Sequence, residues 1–254
     1  MEYREHLAAV EREAAVLTTA LGAGAADRPV PTCPGWTTWD LADHVGRFCT
    51  YWSDALAEPG SRPERRQEEP PGRPGDADGP AGTGPAALAD WFGQRAARLL
   101  DLLGSTDADA AVWTWHDTDH TAGFVARRCA HELAVHRYDA QCATTVAAPI
   151  DGALAVDGID EVFAMLAAWW RLGWAAKGAG ESLHLHASAP DAEWTVTLTD
   201  DGPAVERAHR KAGLALRGGA SDLELLLYGR PPLGTVERLG DERALAAWYR
   251  VFRF

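Results

Sequence analysis

The chain has 254 residues, 46% of them hydrophobic, enough to bury one large core or two modest ones. Its formal charge of -13 excludes the broad basic face that a nucleic-acid backbone or an anionic membrane surface would require, so a small molecule is the partner to look for. No stretch reaches the roughly 18 to 20 apolar residues of a membrane span, and the opening MEYREHLAAVERE is too charged for a signal peptide; a cytoplasmic chain is expected.

In chain order, residues 2–22 have helical composition, and RPVPTCPGW then breaks the pattern with proline and glycine. A second helix follows. Thr37 with Asp40 gives a capping-box-like start, and Leu41, Val45, Phe48, Trp52 and Leu56 recur at helical spacing. Residues 57–84 hold so much Pro, Gly and charge that burial cannot offset their ordering entropy, which predicts a flexible loop. Helices are expected over about 85–103 and 122–143, and four helices with one long connection predict a four-helix bundle.

Periodicity resumes over 151–176, a bridging helix, and then changes character. SLHLHASA alternates with a period of two, EWTVTLTD is rich in β-branched and aromatic residues, and AGLALRGG is a third strand. SDLELLLYG reads as a short helix, LGTVERLG as a strand and DERALAAWYRVF as a last helix. The expected fold class is therefore α+β in two domains: a helical bundle over 1–148, then a bridging helix and a smaller α+β domain over 149–254.

CAHELAVHRYD, residues 129–139, looks like the HExxH zinc signature with one residue too many between its histidines. A helix turns about 100° per residue, so His131 and His136 diverge by roughly 140° and cannot easily share an ion. Glu132 and His136, four apart, project side by side. They fall on an inward stripe with Val125, Cys129 and Ala143, whereas Arg127, Arg128, Arg137 and Gln141 fall on other faces. A carboxylate and an imidazole in a core are costly unless paired or metal-bound. His44 in WDLADHVGRF lies on the inward stripe of the second helix, completing a two-histidine, one-carboxylate set between two helices, where bundles build metal sites. Spacing alone leaves open that Glu132 and His136 form a local ion pair and that His44 is a core residue.

VPTCPGWTTWDLADHVGRF and TAGFVARRCAHELAVHRYDAQ, followed by DGIDEVF, closely resemble the mycothiol-dependent maleylpyruvate isomerase family, a branch of the DinB-like metal-binding helical bundles. LALRGGASDLELLLYGRPP resembles that family's C-terminal domain, which is related to sterol carrier proteins. The resemblance implies that His44, Glu132 and His136 are zinc ligands with water completing the shell. Three protein ligands and an open position are the catalytic arrangement of zinc, and the same donors suit iron(II). It also implies that mycothiol, a small actinobacterial thiol, is the co-substrate. Its sulfur would replace the water and add to a small electrophile, in S-transfer or isomerisation. Arg230 resembles an arginine of the family's C-terminal domain that serves the active site, where it would clamp a carboxylate, and a solvated surface position is the alternative reading.

Asp139, three residues after His136, can orient an imidazole or simply be solvated near the helix end, and Asp40 has the same ambiguity with capping. HDTDH, 116–120, reads as a solvated loop, and His184 and His186 of HLH as exposed positions on one strand face. Four cysteines without CxxC pairing read as reduced thiols, and Cys33 in TCPGW, with no base beside it in sequence, as structural. Two other readings stay open: a zinc hydrolase using metal-bound water, and a non-catalytic protein using a pocket lined by some of the eleven tryptophans.

Overall fold

The computed structural model describes residues 1–64, 70 and 84–252. The loop expected over 57–84 lies, apart from 57–64, 70 and 84, outside the described residues. The chain divides into two compact units, Met1–Ala148 and Pro149–Phe254.

The first unit holds α1 (Tyr3–Leu21), α2 (Thr38–Ala57), α3 (Pro85–Gly104) and α4 (Ala122–Thr144). Side-chain chemistry fixes two of the helix starts. Thr37 and Asp40 close a reciprocal capping box, with the Thr37 N–H donating to Asp40 Oδ2 at 2.8 Å, so Asp40 serves the helix end. Thr121 Oγ1 accepts from the Phe124 N–H at 3.1 Å and opens α4. Around the bundle α1 packs on α3 and α4, and α2 packs on the same two.

α4 is buried along nearly its whole length, including Arg128 and Arg137, which the periodicity places on faces other than the inward stripe. A helix packed against two neighbours buries most of its circumference, and a charge survives there only by pairing. Arg137 Nε donates to Glu13 Oε2 of α1 at 2.8 Å with both residues buried, and Arg128 donates to Glu132. His131 faces α1, its ring 6.1 Å from that of His6.

The second unit carries α5 (Gly152–Arg171), β1 (Glu181–Ser188), β2 (Asp191–Thr199), β3 (Gly202–Glu206), β4 (Leu214–Gly218), α6 (Ala220–Leu227), β5 (Glu237–Gly240) and α7 (Arg243–Val251). The sheet order is β3-β2-β1-β4-β5, parallel only between β1 and β4. Register places Leu183 beside Val196 and Leu214, and Leu185 beside Trp194 and Leu216, and all six side chains are buried. That apolar face receives the helices, with α6 and α7 both packing on β1. Among the described residues, seven helices and five strands form a helical domain followed by an α+β domain, and no helix is long and apolar enough to cross a membrane.

Two expectations change. The helix expected to reach 176 ends at Arg171, because Gly173 turns to φ +74° and gives its N–H to the Trp170 carbonyl. β3 was not anticipated, since GPAVE starts with turn residues and shows no alternation. It is an edge strand, where proline is tolerated, held by the pairing of Val205 with Val196.

Candidate metal centre

α2 and α4 carry the site. His44 projects from α2 and Glu132 and His136 from adjacent turns of α4, and one donor atom from each lies within 4.8 Å of the other two. Glu132 Oε1 is the point of convergence, 2.8 Å from His44 Nε2 and 3.5 Å from His136 Nε2. The two imidazoles meet edge to face at 4.7 Å between centroids. The sequence reading thus named three side chains that the fold brings to one point.

Two flanking groups, Arg128 and Asp139, each hold one member of this set. Glu132 Oε2 accepts from Arg128 Nη2 at 2.8 Å, which leaves Oε1 to face the histidines. Asp139, fully buried, has Oδ2 2.9 Å from His136 Nδ1. A carboxylate only accepts, so the shared proton sits on Nδ1 and the imidazole presents Nε2 towards Glu132. Cys33 Sγ donates to the same Asp139 oxygen at 3.3 Å.

Electrostatics follow from these contacts. Burial pushes the Glu132 carboxyl up, but its bonds to His136 and His44 and the nearby Arg128 guanidinium outweigh this and hold it well below the usual carboxylate range. Burial likewise pushes His136 down, and its bonds to Asp139 and Glu132 win and raise it. Cys49, packed in the bundle core, is pushed up to about 12, first by burial and then by the Glu132 charge.

The turn before α2 contributes two residues that spacing did not connect to the site, Cys33 and Trp36. Trp36 N–H donates to the Cys33 carbonyl at 3.0 Å across Pro34 and Gly35, and Gly35 takes φ +85°, the conformation that this turn requires at its third position. Trp36 thereby lies 5.2 Å from the His44 ring and stacks on His136 at 6.2 Å. The available signal was the Pro-Gly pair just ahead of a capped helix. Arg128 was also missed, although its position four residues before Glu132 is a standard helical pairing distance.

The site has one open side. The His44 side chain is 38% exposed, against 9% for His136 and none for Asp139. Antiparallel to one another, α2 runs on from His44 to Phe48 and Trp52, and α4 runs back from Glu132 through Arg128 to Phe124. Trp52 and Phe124 meet edge to face at 6.1 Å. An aromatic strip therefore starts next to the donor set. Arg230 belongs to the second unit, where its Nη1 donates to the Tyr228 carbonyl at 2.8 Å. The HDTDH loop turns on itself, with His116 Nδ1 accepting from the Thr118 and Asp119 amides.

Two imidazoles and a carboxylate converging from two helices, with an α+β domain appended, define a helical-bundle protein built around a two-histidine, one-carboxylate donor set. Comparison with known proteins makes the assignment specific. The family model described as the mycothiol maleylpyruvate isomerase N-terminal domain matches residues 7–141, and the one described as the MDMPI C-terminal domain matches residues 153–247. The chain belongs to the mycothiol maleylpyruvate isomerase family. The fold is that of a crystal structure of the mycothiol-dependent maleylpyruvate isomerase, with a TM-score of 0.64 at 18% identity over 94% of this chain and 93% of that one. A histidine-to-alanine mutant of that isomerase matches equally, with a TM-score of 0.64 at 16% identity over the same shares. No curated protein matches the chain.

Proposed function

We propose that this chain is a metal-dependent enzyme that uses a small thiol, mycothiol, either to isomerise a small electrophilic substrate or to add its sulfur to it, with His44, Glu132 and His136 as the metal ligands. The observation that supports it most is the meeting of both Nε2 atoms on Glu132 Oε1, within 4.8 Å of one another, in a chain of this family. Ligands about 2.0 to 2.1 Å from a tetrahedral zinc lie roughly 3.3 Å apart, so small side-chain movements suffice. The donor set fits zinc and also iron(II).

When bound, such a cation lowers the pKa of a coordinating thiol, so that sulfur is present as thiolate at neutral pH. The chain's own residues do the rest. Asp139 holds His136 by Nδ1, and Arg128 holds Glu132 by Oε2, so the three donor atoms are pre-aimed and little reorganisation is needed. Trp36, stacked on His136, covers one side, while exposed His44 marks the side from which a thiol enters. Phe48 and Phe124, both partly accessible and both packed edge to face on buried Trp52, provide apolar surface on which an unsaturated substrate can lie while its electrophilic carbon faces the sulfur.

Sulfur addition to an activated C=C bond forms a C–S bond and leaves a carbon–carbon single bond free to rotate. Expulsion of the thiolate regenerates the C=C bond in the other geometry, with no net change in atoms. Protonation of the adduct instead completes an S-transfer. Which outcome prevails is set by the substrate.

The test combines elemental analysis with thiol-dependent turnover of an electrophile library, followed by mass spectrometry. Wild-type protein is expected to retain about one zinc at this site and to form or process thiol adducts, and His44→Ala to lose both. Retention of full metal content and full activity by His44→Ala would sink the ligand assignment. Turnover of esters or amides without any thiol would favour the hydrolase reading.

A further inference from the structure

The HLH motif has no part in the bundle site, and its surroundings are not those of solvated strand residues. On β1, Leu183, Leu185 and Ala187 point to the apolar face, which sends His184 and His186 to the opposite one. Antiparallel register sets His186 against Glu193 and His184 against Thr195 on that same face. The segment after β3 then folds back across it: Thr195 Oγ1 donates to the Ala208 carbonyl at 2.9 Å, and this return brings His209 over the sheet.

Three side chains from three separate stretches converge as a result. His209 Nδ1 lies 3.1 Å from both Glu193 oxygens, and the His184 and His209 rings meet edge to face at 4.6 Å. One donor atom each from His184, Glu193 and His209 lies within 4.8 Å of the other two. His186 Nδ1 stands 3.2 Å from Glu193 Oε1 and helps hold the carboxylate.

His184 is the informative member. It is 6% exposed, and its Nε2 is buried without a hydrogen-bond partner among the described residues. That atom faces Glu193 Oε2 at 3.9 Å, too long for a hydrogen bond and close to the roughly 3.3 Å that separates two ligands of one tetrahedral ion. An ion-pair network of surface histidines would not require a buried imidazole nitrogen aimed at the carboxylate and stopping short of it.

We propose that His184, Glu193 and His209 form a second divalent-metal site, for a zinc-class ion, on the outer face of the C-terminal sheet. Two imidazole nitrogens and a carboxylate oxygen select borderline ions such as zinc over calcium or magnesium. Exposed His209 leaves the outer coordination positions to solvent or to a small ligand. Binding pins the returning segment 207–211 to β1 and β2.

The experiment uses the full chain, stripped with a chelator, loaded with excess Zn2+ and desalted into metal-free buffer before elemental analysis. The chain carrying both Glu193→Gln and His209→Ala, two changes that leave the apolar face intact, is compared with wild type. The expected result is one zinc fewer per chain in the variant. Both chains keep His44, so the difference does not depend on the bundle site. Hydrogen exchange supplies the second readout: zinc is expected to slow the β2 amides at least several-fold in wild type and to leave them unchanged in the variant. Equal zinc content in the two chains, or zinc-independent β2 exchange in wild type, would overturn the proposal.

Discussion

Asp139→Asn tests whether the donor set is aimed from behind. The side chain is fully buried, and its Oδ2 faces His136 Nδ1 at 2.9 Å while accepting from Cys33 Sγ at 3.3 Å. Asparagine keeps the shape and can turn its carbonyl to the same place, so packing is conserved and only the charge is lost. A hydrogen bond to a charged group contributes about 1.5 to 3 kcal/mol and a neutral one about 0.5 to 1.5. The substitution should therefore cost about 1 to 2 kcal/mol of support for His136 as a ligand, or roughly 5- to 30-fold in zinc affinity. That lies within the range of outer carboxylate substitutions at metal sites. The assay is competition for zinc against a chromogenic chelator, with urea unfolding of the stripped protein as control. An affinity unchanged within about twofold, or a loss matched by a general loss of fold, would refute the idea that Asp139 positions His136.

Two further outcomes follow from the frame around the site. Arg137→Met takes away the 2.8 Å partner of buried Glu13 and leaves it the half-exposed Arg12 at 3.0 Å, so the loss in urea unfolding should fall below the about 3 to 5 kcal/mol of a buried charge left with no partner. Adding Glu13→Gln should recover part of that loss, and a strictly additive double variant would contradict direct coupling. Tyr3 donates its hydroxyl to the Leu103 and Thr106 carbonyls, and burial, followed by the Asp107 charge, raises it above its ordinary 10.0. The folded state thus favours the protonated phenol, so its contribution is intact below about pH 10 and is lost as pH rises through the raised value. Tyr3→Phe should flatten the alkaline slope of stability, and an identical slope in both chains would show that Tyr3 does not carry it.

The helices of the bundle were legible because their apolar residues recur at 3.6 and their ends carry explicit caps, as at Thr37 and Thr121. The donor set was legible for a related reason: residues four apart on one helix, and a histidine on the inward stripe of another, have few places to go. What the pattern could not show is how many neighbours a helix has. α4 is packed by both α1 and α2, so Arg128 and Arg137 are interior residues although their spacing sets them off the inward stripe. Cys33 and Trp36 depend on a turn whose direction no periodicity encodes. His184 was expected to be exposed because alternation gives the face of a strand and says nothing of what folds over it; here the segment after β3 does.

Charge balance links the bundle site to the chemistry proposed for it. Glu132 and Asp139 bring one negative charge each and Arg128 one positive, so these three groups together are negative by one. A divalent cation would turn that into a single excess positive charge beside the largely buried Glu132 and His136, with only the His44 side open. An excess charge in such surroundings is costly, and an anionic ligand removes it. A thiolate satisfies that requirement, whereas a neutral water or a neutral thiol does not. With such a cation bound, Arg128 would be more than a brace for Glu132: with a neutral residue in its place, the cation alone would neutralise the site and the preference for an anionic sulfur would weaken. Arg128→Met separates these roles, because bracing predicts weaker metal binding, whereas charge balance predicts retained metal with a raised pKa of the bound thiol, read from the pH dependence of the thiolate-to-cobalt absorption band.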